Sequence, residues 1–208
     1  MLTLLASLIC LFQPPADWEI AHLKTPSPEI HIGFLAKGSG EFRPSINLAT
    51  EEIDGTLKEY VKAVKELHLS EPKVQWRDLG KFATRAGEGR LTEVTKPSAW
   101  GEMKIFQAIV VKDDTAYILT SAVLKKDLSR YHTSILNAFR SLNLVPDLWT
   151  PIHDSQKRQQ LQELFATLGQ SEDKEGEKVR LQQAVSQTEL GPYWQFLALK
   201  EGLAKLDK

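Results

Sequence analysis

Two long apolar segments joined by a short polar turn place the strongest constraint on how this chain folds. Residues 103–111 and 116–124 carry mostly apolar side chains at both odd and even positions. Because successive residues of a strand point to opposite faces, such segments belong in the middle of a sheet that is covered on both sides. Residues 112–115 are few and polar, which predicts an antiparallel hairpin between the two strands.

Two amphipathic helices are predicted to cover that sheet. The first begins at Thr56, whose side chain has capping-box spacing to Glu59, and ends before Ser70. The second spans about residues 127–143, with Asp127 as its predicted N-cap. Both carry apolar side chains at the spacing of one helix face: Leu57, Tyr60, Val61, Val64 and Leu67 in the first, and Leu128, Tyr131, Ile135, Phe139 and Leu142 in the second.

Other segments have the composition or the alternation of half-buried strands. The segment 74–76 is predicted to lead into a turn at residues 79–81. The next segment, 82–95, is interrupted by Gly87 and Gly89, which predicts either one bulged strand or two short strands. These glycines lack the Gly-Lys-Ser/Thr of a phosphate-binding loop, so we interpret them as turn or bulge residues. Further short strands are predicted at residues 18–20, 29–34 and 44–48.

The chain beyond Pro146 is predicted to form helices with narrow apolar stripes. Gly191 and Pro192 separate the last helix from the others, and Trp149 and Trp194 are predicted to hold this tail in place. Stripes of this width cannot build a core alone, so the tail has to dock on the rest of the chain or on another molecule. The predicted organisation is an apolar leader at residues 1–16, an α/β domain at 17–145 and a helical extension at 146–208.

The first twelve residues carry no charge and are too few to span a bilayer, which takes about 20 residues. Their length and the following Pro14 and Pro15 are typical of a signal peptide, although no basic residue precedes the run and no Ala-x-Ala cleavage site follows it. A lipoprotein anchored at Cys10 and a buried first strand or helix are the alternatives. We predict an exported, periplasmic or envelope-associated protein that associates with the membrane through this segment; otherwise the protein is cytoplasmic.

Composition and motifs argue against several classes of function. The formal net charge of −1 lacks the cationic surplus that nucleic-acid binding requires. Since Cys10 is the only cysteine, neither an internal disulfide nor a cysteine-based zinc site can form. The sequence contains no Gly-x-Ser-x-Gly, no His-Glu-x-x-His and no histidine pair at zinc-ligand spacing on one helix face. We therefore predict no catalytic residue, no metal site and no cofactor, and interpret the protein as a non-enzyme.

The best candidate for an interaction surface is the short stretch 97–101. Trp100 lies there after Pro97, in a loop at a sheet end from which its ring does not easily reach a core. Exposed aromatic side chains are common anchors of protein interfaces. The alternative is that the ring of Trp100 folds back over the edge of the sheet. Leu199 and Leu203, on the apolar stripe of the last helix, complete the predicted partner-binding set.

Several short motifs occur in a distinctive order along the chain: Pro15-Ala16-Asp17-Trp18-Glu19, Pro44-Ser45-Ile46-Asn47-Leu48, Thr56-Leu57-Lys58-Glu59-Tyr60, Gly87-Glu88-Gly89-Arg90, the apolar hairpin and Ala138-Phe139-Arg140-Ser141-Leu142. Over residues 15–144 this order resembles the PsbP-like and DcrB-like α/β superfamily, which includes the Ran-binding Mog proteins. The resemblance implies a PsbP-like α+β fold, a central antiparallel sheet sandwiched by helices, here with a C-terminal helical extension. It implies binding of partners rather than enzymatic activity, and it transfers no Ran-contacting or metal-binding residue onto this chain.

Three hypotheses for function follow. The favoured one is a non-enzymatic binding or accessory protein of the bacterial envelope that contacts another protein. The second is a carrier or sensor of a small apolar ligand held between the sheet and the tail helices, in a pocket of ~300 Å³. The third, which no motif supports, is a hydrolase whose site is assembled only in space.

Overall fold

The structure is a computed structural model that describes residues 8–21 and 29–207. The described residues form two compact units, each presented here by itself. The larger unit consists of residues 14–142, and the smaller one combines residues 8–13 with residues 143–207.

The helices and strands are numbered in chain order. The strands are β1 (Ile9–Leu11), β2 (Trp18–Ile20), β3 (Ile30–Ala36), β4 (Ser45–Glu52), β5 (Gln75–Thr84), β6 (Gly87–Ser98), β7 (Gly101–Lys112), β8 (Thr115–Leu124) and β9 (Asn143–Val145). The helices are α1 (Leu57–Leu69), α2 (Leu128–Arg140), α3 (Ser155–Thr167), α4 (Lys174–Ser186) and α5 (Pro192–Leu206).

The described residues of the larger unit build a seven-stranded antiparallel sheet in the order β2-β3-β4-β8-β7-β6-β5. β7 and β8 are neighbours inside it and pair continuously from Met103 opposite Leu124 to Lys112 opposite Thr115. The central hairpin predicted from the two apolar segments is therefore confirmed.

α1 and α2 cover opposite faces of this sheet. Ile109 and Ile118 are cross-strand partners on one face, where they pack with Val61 of α1. Phe106 points to the other face, and its ring lies 5.8 Å from the ring of His132 in α2. The predicted α+β fold, with helices on both sides of a central antiparallel sheet, is confirmed.

The starts of the two covering helices differ from each other. The Thr56 capping box is confirmed, because the Glu59 amide donates to Thr56 Oγ1 at 3.3 Å and the Thr56 amide donates to Glu59 Oε2 at 2.8 Å. Asp127 is the N-cap residue of α2, as predicted, but its side chain accepts no hydrogen bond from the amides of the first turn. A capping side chain reaches the first-turn amides from an extended backbone, whereas Asp127 ends a short 3₁₀ turn, Lys125–Asp127, with φ of −101° and ψ of −3°.

The region between α1 and the central hairpin also differs from the prediction. The turn predicted at residues 79–81 is absent, because β5 runs through this segment as one strand. Gly80 has a φ of 101° and the pairing register shifts between Asp78 and Gly80, so the strand bulges there without reversing. The chain reverses direction at residues 85–86. The segment 82–95 therefore belongs to two strands, as one of the two predicted alternatives states, although both strands extend beyond this segment.

The smaller unit joins the two ends of the described chain. β1 pairs with β9, with Cys10 opposite Leu144, so α2 ends earlier than predicted and residues 143–145 form a strand. The helices α3, α4 and α5 bury their apolar side chains in the same unit. The tail helices therefore share one hydrophobic core with the strand β1. Its buried side chains include Leu11, Phe12, Val145, Leu161, Phe165, Leu181, Val185 and Ala198.

The two tail tryptophans hold the segment after β9 to the helices, as predicted. Trp149 packs edge-on against Phe165 of α3, with ring centroids 4.8 Å apart. Trp194 of α5 is buried, and its Nε1 donates to the Leu148 carbonyl at 2.8 Å. No described helix is long and apolar enough to cross a bilayer.

The N-terminal apolar run is partly integrated into this unit. Residues 1–7 of the predicted leader lie outside the described residues. Cys10 is buried, which raises the pKa of its thiol to about 12 and keeps the thiol protonated. The Phe12 ring lies 5.4 Å from that of Tyr193, and Gln13 Nε2 donates to the Leu190 carbonyl at 2.7 Å. These contacts favour the alternative of a buried first strand over a lipid anchor at Cys10.

Gly89 allows the backbone of β6 to approach that of β7 closely, and a larger residue at this position should destabilise the sheet. A Cβ at this position would collide with the Ile109 carbonyl oxygen and lie 2.8 Å from Val110 Cγ2. Gly89→Ala should lower the free energy of unfolding by about 1–3 kcal/mol, measured by chemical denaturation, because the backbone of β7 has to move. In the matched control, Gly40→Ala, the nearest atom to the added methyl is 3.5 Å away, so stability should be unchanged. Equal stabilities for the two variants would contradict this account.

Candidate functional site

The tip of the β6–β7 hairpin presents the candidate site. The strands pair up to Ser98 opposite Gly101, which leaves residues 99–100 as the connection. Gly101 has a φ of 121°, a conformation that favours glycine. The Ser98 hydroxyl donates to the Gly101 carbonyl at 2.7 Å and accepts a hydrogen bond from the Trp100 amide at 3.2 Å. The backbone that carries Trp100 is therefore well defined.

The side chain of Trp100 is large, apolar and 46% exposed. One neighbour supports it: the Phe42 ring from the β3–β4 loop, with centroids 5.6 Å apart and planes inclined by 46°. The ring therefore packs on a neighbouring loop and still presents almost half of its surface to solvent. Water around an exposed indole is displaced favourably by an apolar partner, so this ring is suited to an interface.

A cleft of about 310 Å³ opens beside this ring. We call it the Trp100 cleft, and it is lined by Trp100, Gly101, Glu102, Leu124, Lys125 and Lys126. Lys125 Nζ lies 2.8 Å from Glu102 Oε1, so these two charges offset each other at the rim. Leu124, which is buried, also belongs to the lining.

Of the four residues predicted to bind a partner, Pro97 and Trp100 lie in the larger unit, and Leu199 and Leu203 lie in the smaller one. Pro97 is exposed and belongs to the same hairpin as Trp100. Leu199 and Leu203 lie on α5 in the smaller unit and are half-buried. Their role in binding stays a prediction. Sequence reasoning missed Phe42, because its pairing with Trp100 joins two loops that are far apart along the chain.

A buried charged cluster lies elsewhere on the same hairpin. Glu93 is 5% exposed and receives hydrogen bonds from Lys104 Nζ at 2.9 Å and from Arg77 at 2.9 Å to each oxygen. Burial alone raises the pKa of this carboxyl, but the hydrogen bonds and charges of Lys104 and Arg77 outweigh it and hold the pKa below its usual value. A carboxylate held ionised with its oxygens bonded is suited to stabilising the sheet, and it is poorly suited to proton transfer at neutral pH.

The β7–β8 turn forms a second, acidic cleft of about 460 Å³. Asp113 and Asp114 adopt φ values of 49° and 58° there, which confirms their prediction as hairpin-turn residues. Glu52 and Asp54 complete its acidic lining. Among residues 8–21 and 29–207, no group of three or more His, Cys, Asp or Glu side chains is arranged to hold a metal ion.

Comparison with known proteins identifies the fold. No protein family and no curated protein matches the sequence. Among solved structures, LpqN of Mycobacterium tuberculosis, described as involved in cell envelope biogenesis, is similar over 68% of this chain and 86% of its own, with 10% identity and a TM-score of 0.53.

Two further solved structures are similar at lower TM-scores. PsbP (CyanoP) of Synechocystis is similar over 67% of this chain and 94% of its own, with 13% identity and a TM-score of 0.46. The Ran-binding protein Mog1p of Saccharomyces cerevisiae is similar over 63% of this chain and 83% of its own, with 17% identity and a TM-score of 0.44. The similarity to LpqN concerns the fold alone, the α+β fold with a central antiparallel sheet described above.

The Glu93 cluster generates the second prediction. Lys104→Met should lower the free energy of unfolding at pH 7 by about 3 kcal/mol, because it leaves a buried carboxylate short of a partner. Arg77→Met should cost under about 1 kcal/mol, since the Arg77 side chain is 64% exposed and its ion pair is screened by solvent.

The pH dependence distinguishes this effect from lost packing. The depressed pKa of Glu93 contributes stability above the pKa of the unfolded chain, and that stability is lost as the pH falls through the folded-state pKa. The deficit of Lys104→Met should therefore shrink as the pH falls towards about 4, where the unfolded carboxyl titrates. A deficit that is equal at both pH values in denaturation experiments would show that Lys104 acts through packing alone.

Proposed function

We propose that this chain is a non-enzymatic accessory protein that binds another protein through the Trp100 cleft and the Phe42–Trp100 pair. The observation that carries the proposal is the 46% exposed indole on a hairpin whose backbone is held by Ser98. An ordered aromatic side chain loses little conformational entropy on binding, which makes it an effective anchor of an interface.

The similarity of fold to LpqN, a protein involved in cell envelope biogenesis, is compatible with a role of this chain at the envelope. The carboxylate of Glu93 is buried and accepts hydrogen bonds from Arg77 and Lys104. These contacts support a structural role for Glu93. The carrier and hydrolase hypotheses stay predictions, because no observation favours either of them.

Photo-crosslinking tests the proposed surface. A benzophenone amino acid at Pro97, which is exposed beside Trp100, should crosslink to a defined protein in cells of the source organism. The same group at Lys58, on the exposed side of α1, provides the matched control and should not capture that protein. Trp100→Ala should abolish the product from position 97 without unfolding the protein, which circular dichroism checks. Identical products from both positions, or a product that persists without the indole, would refute the proposal.

We further propose that the protein works in the bacterial envelope and keeps residues 9–12 there. The uncharged N-terminal run supports export, whereas the pairing of β1 with β9 and the burial of Phe12 support retention of the strand. Mass spectrometry of the protein isolated from fractionated cells should find it in the envelope with the Ile9–Phe12 peptide still attached. A chain confined to the cytosol would contradict export, and an envelope form that begins after residue 13 would contradict retention.

A further inference from the structure

The Trp100 cleft has the size and lining of a pocket for part of a protein chain. At about 310 Å³ it lies at the lower end of the volumes at which proteins bind ligands, so it suits one or two side chains better than a large cofactor. Trp100 provides an exposed apolar side chain in its lining, and the buried Leu124 lies there too. An apolar side chain placed against the indole would be removed from water on that side.

The charges of the cleft are unequal. Lys125 and Lys126 supply two positive charges, and Glu102 supplies one negative charge. Glu102 forms its ion pair with Lys125 at 2.8 Å. Within the described part of the chain, Lys126 is exposed and takes part in no ion pair. The cleft therefore offers one surplus cation beside an apolar wall, although the chain as a whole has a formal net charge of −1.

One surplus lysine favours a carboxylate over the other common anions. Nucleic acids are held by many simultaneous phosphate contacts, and anionic membranes by clusters of about four to eight basic residues. A protein segment needs a single charge-assisted hydrogen bond next to an apolar anchor. Lys126, which forms no ion pair with the described residues, and the Trp100 indole together match this last requirement.

We propose that the Trp100 cleft binds an exposed acidic segment of the partner, with an apolar side chain against Trp100 and Leu124 and a neighbouring carboxylate on Lys126. This inference rests on the proposed function and adds the chemistry of the partner to it. Lys125 stays with Glu102 in the complex, so Lys126 determines the preference for an anion.

Two matched peptides test this assignment by NMR on the ¹⁵N-labelled full-length protein. Acetyl-Glu-Leu-Phe-Glu-amide should shift the Trp100 indole and Gly101 amide signals with a dissociation constant in the millimolar range. The indole signal is assigned with Trp100→Phe. The neutral counterpart, acetyl-Gln-Leu-Phe-Gln-amide, should bind about two- to fivefold more weakly. Salt at about 0.5 M should weaken only the acidic peptide, because the ion pair is exposed and therefore screened.

Lys126→Glu should reduce binding of the acidic peptide by at least about fivefold and leave the neutral peptide unaffected. Lys58→Glu, which reverses one exposed charge on α1, is the matched control and should change neither peptide. No shift with about 5 mM acidic peptide, or equal binding of both peptides, would overturn the inference. A response to phosphatidylglycerol vesicles without a response to the peptide would also overturn it, in favour of a lipid headgroup.

The crosslinking and peptide experiments distinguish failure of this inference from failure of the proposed function. If the crosslink from position 97 requires Trp100 but tolerates Lys126→Glu, the partner binds this surface without the predicted carboxylate. In that case the inference fails and the proposed function stands. If the crosslink is independent of Trp100, the proposed function fails whatever the peptides do.

Discussion

The fold of the larger unit depends on the pairing of β7 with β8, because these strands are apolar on both faces. A sheet with such strands inside it is stable only when each face is covered, and α1 and α2 meet that requirement from opposite sides. The remaining strands extend the sheet to both edges and connect the covering helices to it. The long β6–β7 hairpin is anchored in this core at one end and carries Trp100 at the other.

Features that depend on neighbouring residues were predictable from sequence, whereas those that depend on distant contacts were not. The Thr56 capping box and the polar turn between β7 and β8 each need only a few residues, and both were predicted correctly. Gly80 is locally ambiguous, since a glycine with positive φ fits a bulge as well as a turn. The pairing of β1 with β9 and the contact of Phe42 with Trp100 each join distant segments, and no local pattern encodes either of them.

The candidate site combines a rigid backbone with an incompletely covered aromatic side chain. Ser98 and Gly101 fix the turn, and Phe42 supports the ring without enclosing it. The same hairpin carries the buried carboxylate of Glu93, which is hydrogen-bonded to Lys104 and Arg77. The apolar side chain of Trp100 is partly exposed at the tip of the hairpin. The proposed binding role uses the apolar surface at the tip.

The composition of the smaller unit has a consequence for biosynthesis. Its first strand leaves the ribosome before any other described element, whereas the helices that share its core are made last. Residues 14–142 can pair and pack while that strand still lacks β9, Tyr193 and Leu190. The apolar side chains of residues 10–12 therefore lack their native partners until α5 has been synthesised.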